Sequence, residues 1–264
     1  MEQVFPKGKL EKPLSDKRRV QFCNKMKPVV WAIKVDTEND ETRVCTGFCI
    51  RKDGLLLTVS HVFSFQSNDV APIKLLSICA RRDLDKDEEF FACTIVHIWD
   101  HFDLVLLKVD DDSRTLDANF KGFDYATIEH VSRKLPSGIE LFSIGLYQGH
   151  GFHLFTGVLI NNINPDDIDY AFLGLDNKFK VERVDLENSS VYNDKMPTFG
   201  FPKDLHPGLK FLEASFMGDL SGMSGSPIFS SEGKIVSIVQ RGLCSTFGVT
   251  HRALIAFVQS YGDS

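Results

Sequence analysis

Gly218-Asp219-Leu220-Ser221-Gly222-Met223-Ser224-Gly225-Ser226-Pro227-Ile228-Phe229 is followed by a turn at Glu232-Gly233 and a strand-like run from Lys234 to Val239. A serine bracketed by glycines allows a sharp turn. Its backbone N–H groups at Gly222 and Ser224 can then converge on one point, the geometry that stabilises an oxyanion. A small-residue loop between two strands is the competing structural explanation. The pattern is not the nucleophile elbow of α/β-hydrolases, because Ser226 stands where the second glycine belongs and a strand, not a helix, follows. A lipase-type fold is thereby disfavoured.

Two further segments carry chemistry. In Leu55-Leu56-Leu57-Thr58-Val59-Ser60-His61-Val62 a histidine follows an apolar strand, which places it at a strand end; alone, it is as compatible with a structural role. In His101-Phe102-Asp103-Leu104-Val105-Leu106-Leu107-Lys108 a carboxylate stands just before a fully apolar strand. Drawn to the edge of a core, it needs a donor, since an unpaired buried carboxylate is costly. A histidine N–H would serve; a strand-capping Asp is the alternative, and Asp100 competes for the role. The order is therefore His, Asp, Ser.

Around these signals short apolar segments alternate with turns, at residues 28–35, 47–50, 55–59, 73–79, 90–98, 104–109, 139–144, 157–160, 210–214, 228–229 and 234–239. Strand-length runs with hairpin punctuation such as Asp53-Gly54 predict an all-β chain. Only residues 250–261 space Leu254, Phe257 and Val258 at helical intervals, which predicts one C-terminal helix. Residues 110–135 are polar and separate two strand-rich halves. Residues 161–207, rich in Asn, Asp, Pro and Gly, read as a long insertion.

The composition, 43% hydrophobic over 264 residues, supplies a globular core and excludes disordered and fibrous classes. A net charge of −6 offers no broad cationic field, so nucleic acid is not an expected partner. Residues 1–28 hold eight basic and three acidic side chains and read as a solvated basic tail, with Lys17-Arg18-Arg19 as its densest point. No apolar run long enough to span a bilayer and no signal-peptide h-region occur, which predicts an intracellular protein, cytoplasmic or nuclear, without a membrane partner. The six cysteines lack metal-ligand spacing and are expected as buried thiols. His97, His101 and Asp103 could share one strand face, but Asp103 is better used beside His61, so no metal and no cofactor is expected. Gly149-His150-Gly151-Phe152-His153 reads as a turn.

Taken together, these segments resemble the chymotrypsin-fold serine proteases, and within them the HtrA/Deg branch. The segment ending in Thr58-Val59-Ser60-His61-Val62 is similar to that branch's T-x-x-H-V strand. Asp103 to Val109 is similar to its D-L-A-V-L-K-V segment, and Gly222 to Pro227 to its G-N-S-G-G-P loop. Gly138 to Gly145 and Thr156-Gly157-Val158 resemble two of its non-catalytic strands. The resemblance implies two six-stranded antiparallel Greek-key β-barrels with a C-terminal α-helix. The implied division is a tail over 1–27, a first barrel over 28–115 with His61 and Asp103, and a linker over 116–135. A second barrel over 136–249 with Ser224 and a helical end over 250–264 complete it.

The same resemblance implies a catalytic set of Ser224 as nucleophile, His61 as general base and Asp103 as its orienting partner, with Gly222 and Ser224 N–H groups as the oxyanion hole. Gly218 takes the position that governs the S1 site, which gives no support for an Arg or Lys preference although the neighbouring Asp219 leaves one open; a small or medium apolar P1 residue is the expectation. An extended protein or peptide substrate would add along Val239, Gln240 and Arg241. There are departures. Met223 stands where trypsin-like enzymes carry an Asp that pairs with a newly cut N-terminus, and Ser226 replaces a glycine. They motivate the alternative, a catalytically inactive or gated relative acting as a protein-binding module; an esterase using the same residues is a third reading. A PDZ-like module is not expected. HtrA relatives often form trimers through N-terminal aromatics, for which Phe5 and Phe22 are the candidates here.

Overall fold

Leu55–Thr58 and Leu104–Val109 explain how the first half forms, because runs this apolar must be covered on both faces. In the computed structural model they are the adjacent strands β3 and β6, with Leu55, Leu56, Leu57, Leu104, Leu106 and Leu107 fully buried. Each such side chain contributes roughly 1.5–3 kcal/mol of burial. The structure describes residues 14–37, 40–63, 75–82, 90–99, 102–110, 121–130, 135–147, 151–163, 211–214, 222–242 and 246–262. The expected insertion therefore lies outside the described residues from position 164 onward.

With β1 (Val30–Thr37), β2 (Thr42–Arg51), β4 (Leu75–Arg81) and β5 (Phe91–Trp99), these strands close a barrel in the order β1-β2-β3-β6-β5-β4. Every pairing is antiparallel, and the order is that of a Greek key. Trp31, Ile33 and Val35 lie fully buried on one face of β1, while Phe48, opposite Val30, is fully buried on the other face, the one that carries Thr46.

The second half differs from the expected six-stranded barrel. Here β7 (Glu140–Leu146), β8 (Phe152–Ile163), β9 (Phe211–Ala214), β10 (Pro227–Ser230), β11 (Ile235–Ile238), β12 (Arg241–Gly242) and β13 (Thr246–Val249) form one seven-stranded sheet, ordered β11-β10-β7-β8-β9-β13-β12. Among the described residues it is not closed by a ladder. Its edges nonetheless approach: Ser237 makes an isolated antiparallel bridge to Thr250, and its Oγ donates to Val249 O at 2.6 Å.

Two expectations about connecting segments are corrected. The basic tail is helical over α1 (Asp16–Met26), and it is not free in solvent. Phe22 packs on Phe142 with tilted rings at 4.6 Å and meets Phe229 edge-on at 5.8 Å, while Arg19 pairs with Glu140 at 2.9 Å. Phe22 is thus a core residue of this chain and not available to a second copy; Phe5 lies outside the described residues. Pro28 ends the helix in a short 3₁₀ turn, Lys27–Val29. The polar linker also packs. Phe123 packs edge-on against both Trp31 and Phe91, which also touch each other, and Ile128 bridges Ile235 in parallel.

The C-terminal helix α2 (His251–Gly262) forms as expected and buries Ala253, Leu254 and Phe257. It returns to the first barrel, where Phe257 stacks on His97 at 4.9 Å and Ser260 Oγ hydrogen-bonds His97 Nε2 at 2.8 Å. Burial holds the His97 pKa below its usual value. A base with a depressed folded pKa adds stability that is intact above the unfolded value, about 6.5, and is lost as pH falls below it. Thermal melts at pH 7.5 and 5.5 are expected to show an acid-side loss that is smaller in His97→Gln; an identical loss in both would remove this role.

Among the described residues no helix is long and apolar enough to cross a membrane.

Candidate active site

β3 ends at Thr58 and β6 begins at Leu104, and because Thr58 pairs with Val105 the two termini share one rim of the barrel. Residues far apart in sequence therefore meet there. His61 Nδ1 lies 2.7 Å from Asp103 Oδ2. The other carboxylate oxygen, Oδ1, accepts from the His61 backbone N–H at 2.7 Å and from Ser60 Oγ at 3.1 Å. The carboxylate is thus held from both sides of one turn, and its side chain is 8% exposed against 36% for the imidazole. An ionised carboxylate is acceptor-only, so it favours the proton on Nδ1 and leaves Nε2 as an acceptor.

Asp103 has a left-handed backbone, φ +53°. Asp tolerates this region better than most residues, but the conformation needs support. Gln240 supplies it from the second half: its buried amide donates to the Phe102 carbonyl and, at 3.4 Å, to the Asp103 carbonyl. The sequence assigns Gln240 to substrate; its side chain is turned to the Asp103 loop.

The serine loop is anchored through its backbone. Gly225 N donates to Val239 O at 2.7 Å, Ser226 N to Met223 O at 2.9 Å, and Val239 N to Ser226 O at 2.8 Å. From the first barrel, Thr46 N donates to Ser224 O and Thr46 Oγ1 to Gly222 O, both at 2.9 Å. Thr46 Oγ1 also accepts from Leu146 N at 2.9 Å, so one hydroxyl ties β2, β7 and the loop together. Neither Thr46 nor Ser60 was singled out from the sequence. Only the position of Ser60 next to His61 was a signal for it.

The two described serines of the loop, Ser224 and Ser226, separate by exposure. Ser226 is fully buried and donates its hydroxyl to Met223 Sδ at 3.7 Å, whereas Ser224 is partly exposed. Ser224 alone of the two is open to a substrate. His61 carries no hydrogen bond to Ser224 among the described residues; catalytic hydrogen bonds commonly tighten only when substrate binds. Cys45 Sγ lies 3.5 Å from Thr58 Oγ1 at the end of β3, and burial pushes its pKa up to about 12, so it is no nucleophile at neutral pH.

Of the remaining expected site residues, Val239 is buried with its backbone on the serine loop, Arg241 begins β12, and Gly218 lies outside the described residues. His97 is engaged by α2, and His101 lies outside the described residues. No group of metal-binding side chains occurs among the described residues.

The family described as "Trypsin-like peptidase domain" matches residues 45–238. No curated protein sequence matches the chain. Among solved structures, the HtrA-type protease AlgW with tripeptide is similar at 14% identity and a TM-score of 0.59, over 91% of this chain and 62% of that one. A serine endoprotease from Yersinia pestis is similar at 13% identity and a TM-score of 0.60, over 95% and 68%. Deg5 is similar at 16% identity and a TM-score of 0.59, over 92% and 94%. The chain thus spans about two thirds of the first two proteins and nearly all of the third. At these identities the likeness establishes the shared fold.

Proposed function

We propose that this chain, which belongs to the trypsin-like peptidase domain family, is a serine endopeptidase acting on protein or peptide substrates through an acyl-enzyme. The observation that carries the reading is the two-point hold of Asp103 on His61, through the ring and through the backbone. It is set against a serine loop tied to the same barrel by Thr46. In this mechanism Ser224 Oγ attacks the scissile carbonyl and His61 Nε2 takes its proton. Asp103 keeps the imidazole in the productive tautomer and stabilises the imidazolium, and His61 then returns the proton to the leaving amine. The N–H groups of Gly222 and Ser224 receive the oxyanion. Gln240 and the edge strand β12 offer a backbone along which an extended peptide can lie.

A fluorophosphonate probe tests this without knowledge of the substrate, since it reacts only with an activated serine. The purified protein is expected to be labelled, and labelling is expected to disappear in Ser224→Ala and in His61→Ala. Well-folded wild-type protein that takes no label would overturn the enzymatic reading in favour of a binding module on the same fold.

A further inference from the structure

Met223 and Ser226 are the two positions at which the serine loop departs from the pattern it resembles, and the structure places them together. Met223 is 1% exposed among Leu141, Leu159, Ile228, Val236 and Val239, in a cluster belonging to the second half. Its sulfur receives the buried Ser226 hydroxyl at 3.7 Å. Opposite them on β7 stands Gly145, where a Cβ would overlap Ser226 Oγ and crowd Met223 Sδ. The serine at 226, the thioether at 223 and the missing side chain at 145 therefore form one fitted set.

Resting on the protease reading above, we infer that Met223 is a positioning residue: an apolar anchor, seated with Ser226 against Gly145, that holds the Gly222–Ser224 turn in register with no charged partner. Three features lead there. The residue between the two proposed oxyanion donors has its side chain directed away from solvent and into a packed cluster, so the turn cannot rotate without pulling a thioether out of the core. Gly222 has φ +88° and Gly225 φ +84°, so the turn is bounded by residues with little intrinsic preference for this conformation. Finally, Met223 O accepts from Ser226 N at 2.9 Å, which couples the anchor's backbone to its hydrogen-bonding partner. A flexible, polarizable side chain suits an irregular seat beside a hydroxyl.

The test compares Met223→Ala, Met223→Leu and the wild type by two readouts. One is the rate of fluorophosphonate labelling with kcat and KM on a cleaved peptide; the other is amide hydrogen exchange over residues 222–226 and over the first barrel. Met223→Ala is expected to speed exchange in the loop but not in the barrel. It is expected to lower kcat and labelling by ten- to a hundredfold, towards the loss of about 10² seen on removing one oxyanion donor, with KM little changed. Met223→Leu, which refills the seat, is expected to restore both readouts to within about threefold of wild type. Unchanged loop exchange in Met223→Ala overturns the anchor, as does a kcat that does not fall in a labelled enzyme. Loop exchange that depends on Met223 in a protein that takes no label supports the anchor while removing the protease reading, so the two fail separately.

Discussion

Asp103→Asn is expected to lower kcat by about 10⁴ with KM and melting temperature close to wild type, while Ser224→Ala and His61→Ala lower it by about 10⁶. The reason lies in which atom of Asp103 does what. Oδ1 accepts from the His61 backbone and from Ser60, and an asparagine carbonyl oxygen can take over both bonds. Oδ2 faces His61 Nδ1 at 2.7 Å, and an amide NH₂ there must donate where the carboxylate accepted. The ring answers by holding its proton on Nε2, which removes the base that Ser224 needs. The turn survives and the tautomer is wrong, so the loss appears in kcat. Hydrolysis of a denatured protein substrate followed beside a thermal melt checks it. An Asp103→Asn enzyme that cleaves at the wild-type rate would remove Asp103 from the reaction, and a collapse of the melting temperature would make its role structural.

The first barrel and its rim were legible because their signals are local. An uninterrupted Leu55-Leu56-Leu57 run and a second from Leu104 can be satisfied only as covered strands, and His61 and Asp103 stand at the ends of those runs in sequence. Burial of both runs in adjacent strands brings the ends together. The N-terminal helix was not legible for the opposite reason. Its docking stripe is Arg19, Phe22 and Met26, interleaved with Lys17, Arg18 and Lys25, so the average along α1 reads as solvated. What makes it a core element is the ring surface of Phe142 and Phe229, more than a hundred positions away. Phe123 in the linker is the same case: an aromatic in a polar segment, given its role by Trp31 and Phe91. Gln240 was noticed for its position after β11, yet the direction of its amide depends on the left-handed turn at Asp103, which strand patterning does not encode.

Gly225→Ala is expected to abolish fluorophosphonate labelling and to lower stability, and the cause is separable into two parts. Gly225 has φ +84°, a region in which an L side chain costs on the order of 1 kcal/mol or more. A Cβ there would also overlap the Thr46 carbonyl oxygen and Thr58 Oγ1. Those atoms cannot give way cheaply, because Thr58 Oγ1 donates to Thr46 O at 2.7 Å and both residues are buried in strands of the closed barrel. The loop must move instead. Moving it off β2 breaks the bonds from Thr46 to Ser224 O and Gly222 O and the bond from Gly225 N to Val239 O, which are the contacts that place Ser224 relative to His61. Gly151→Ala is the control, since Gly151 also has a positive φ, +133°, but a Cβ there meets nothing within 4 Å. It carries the backbone cost without the overlap, so it is expected to lower the melting temperature slightly and to keep full labelling. Labelling of Gly225→Ala at the wild-type rate would mean that the close approach of the serine loop to β2 is not what holds the nucleophile in place.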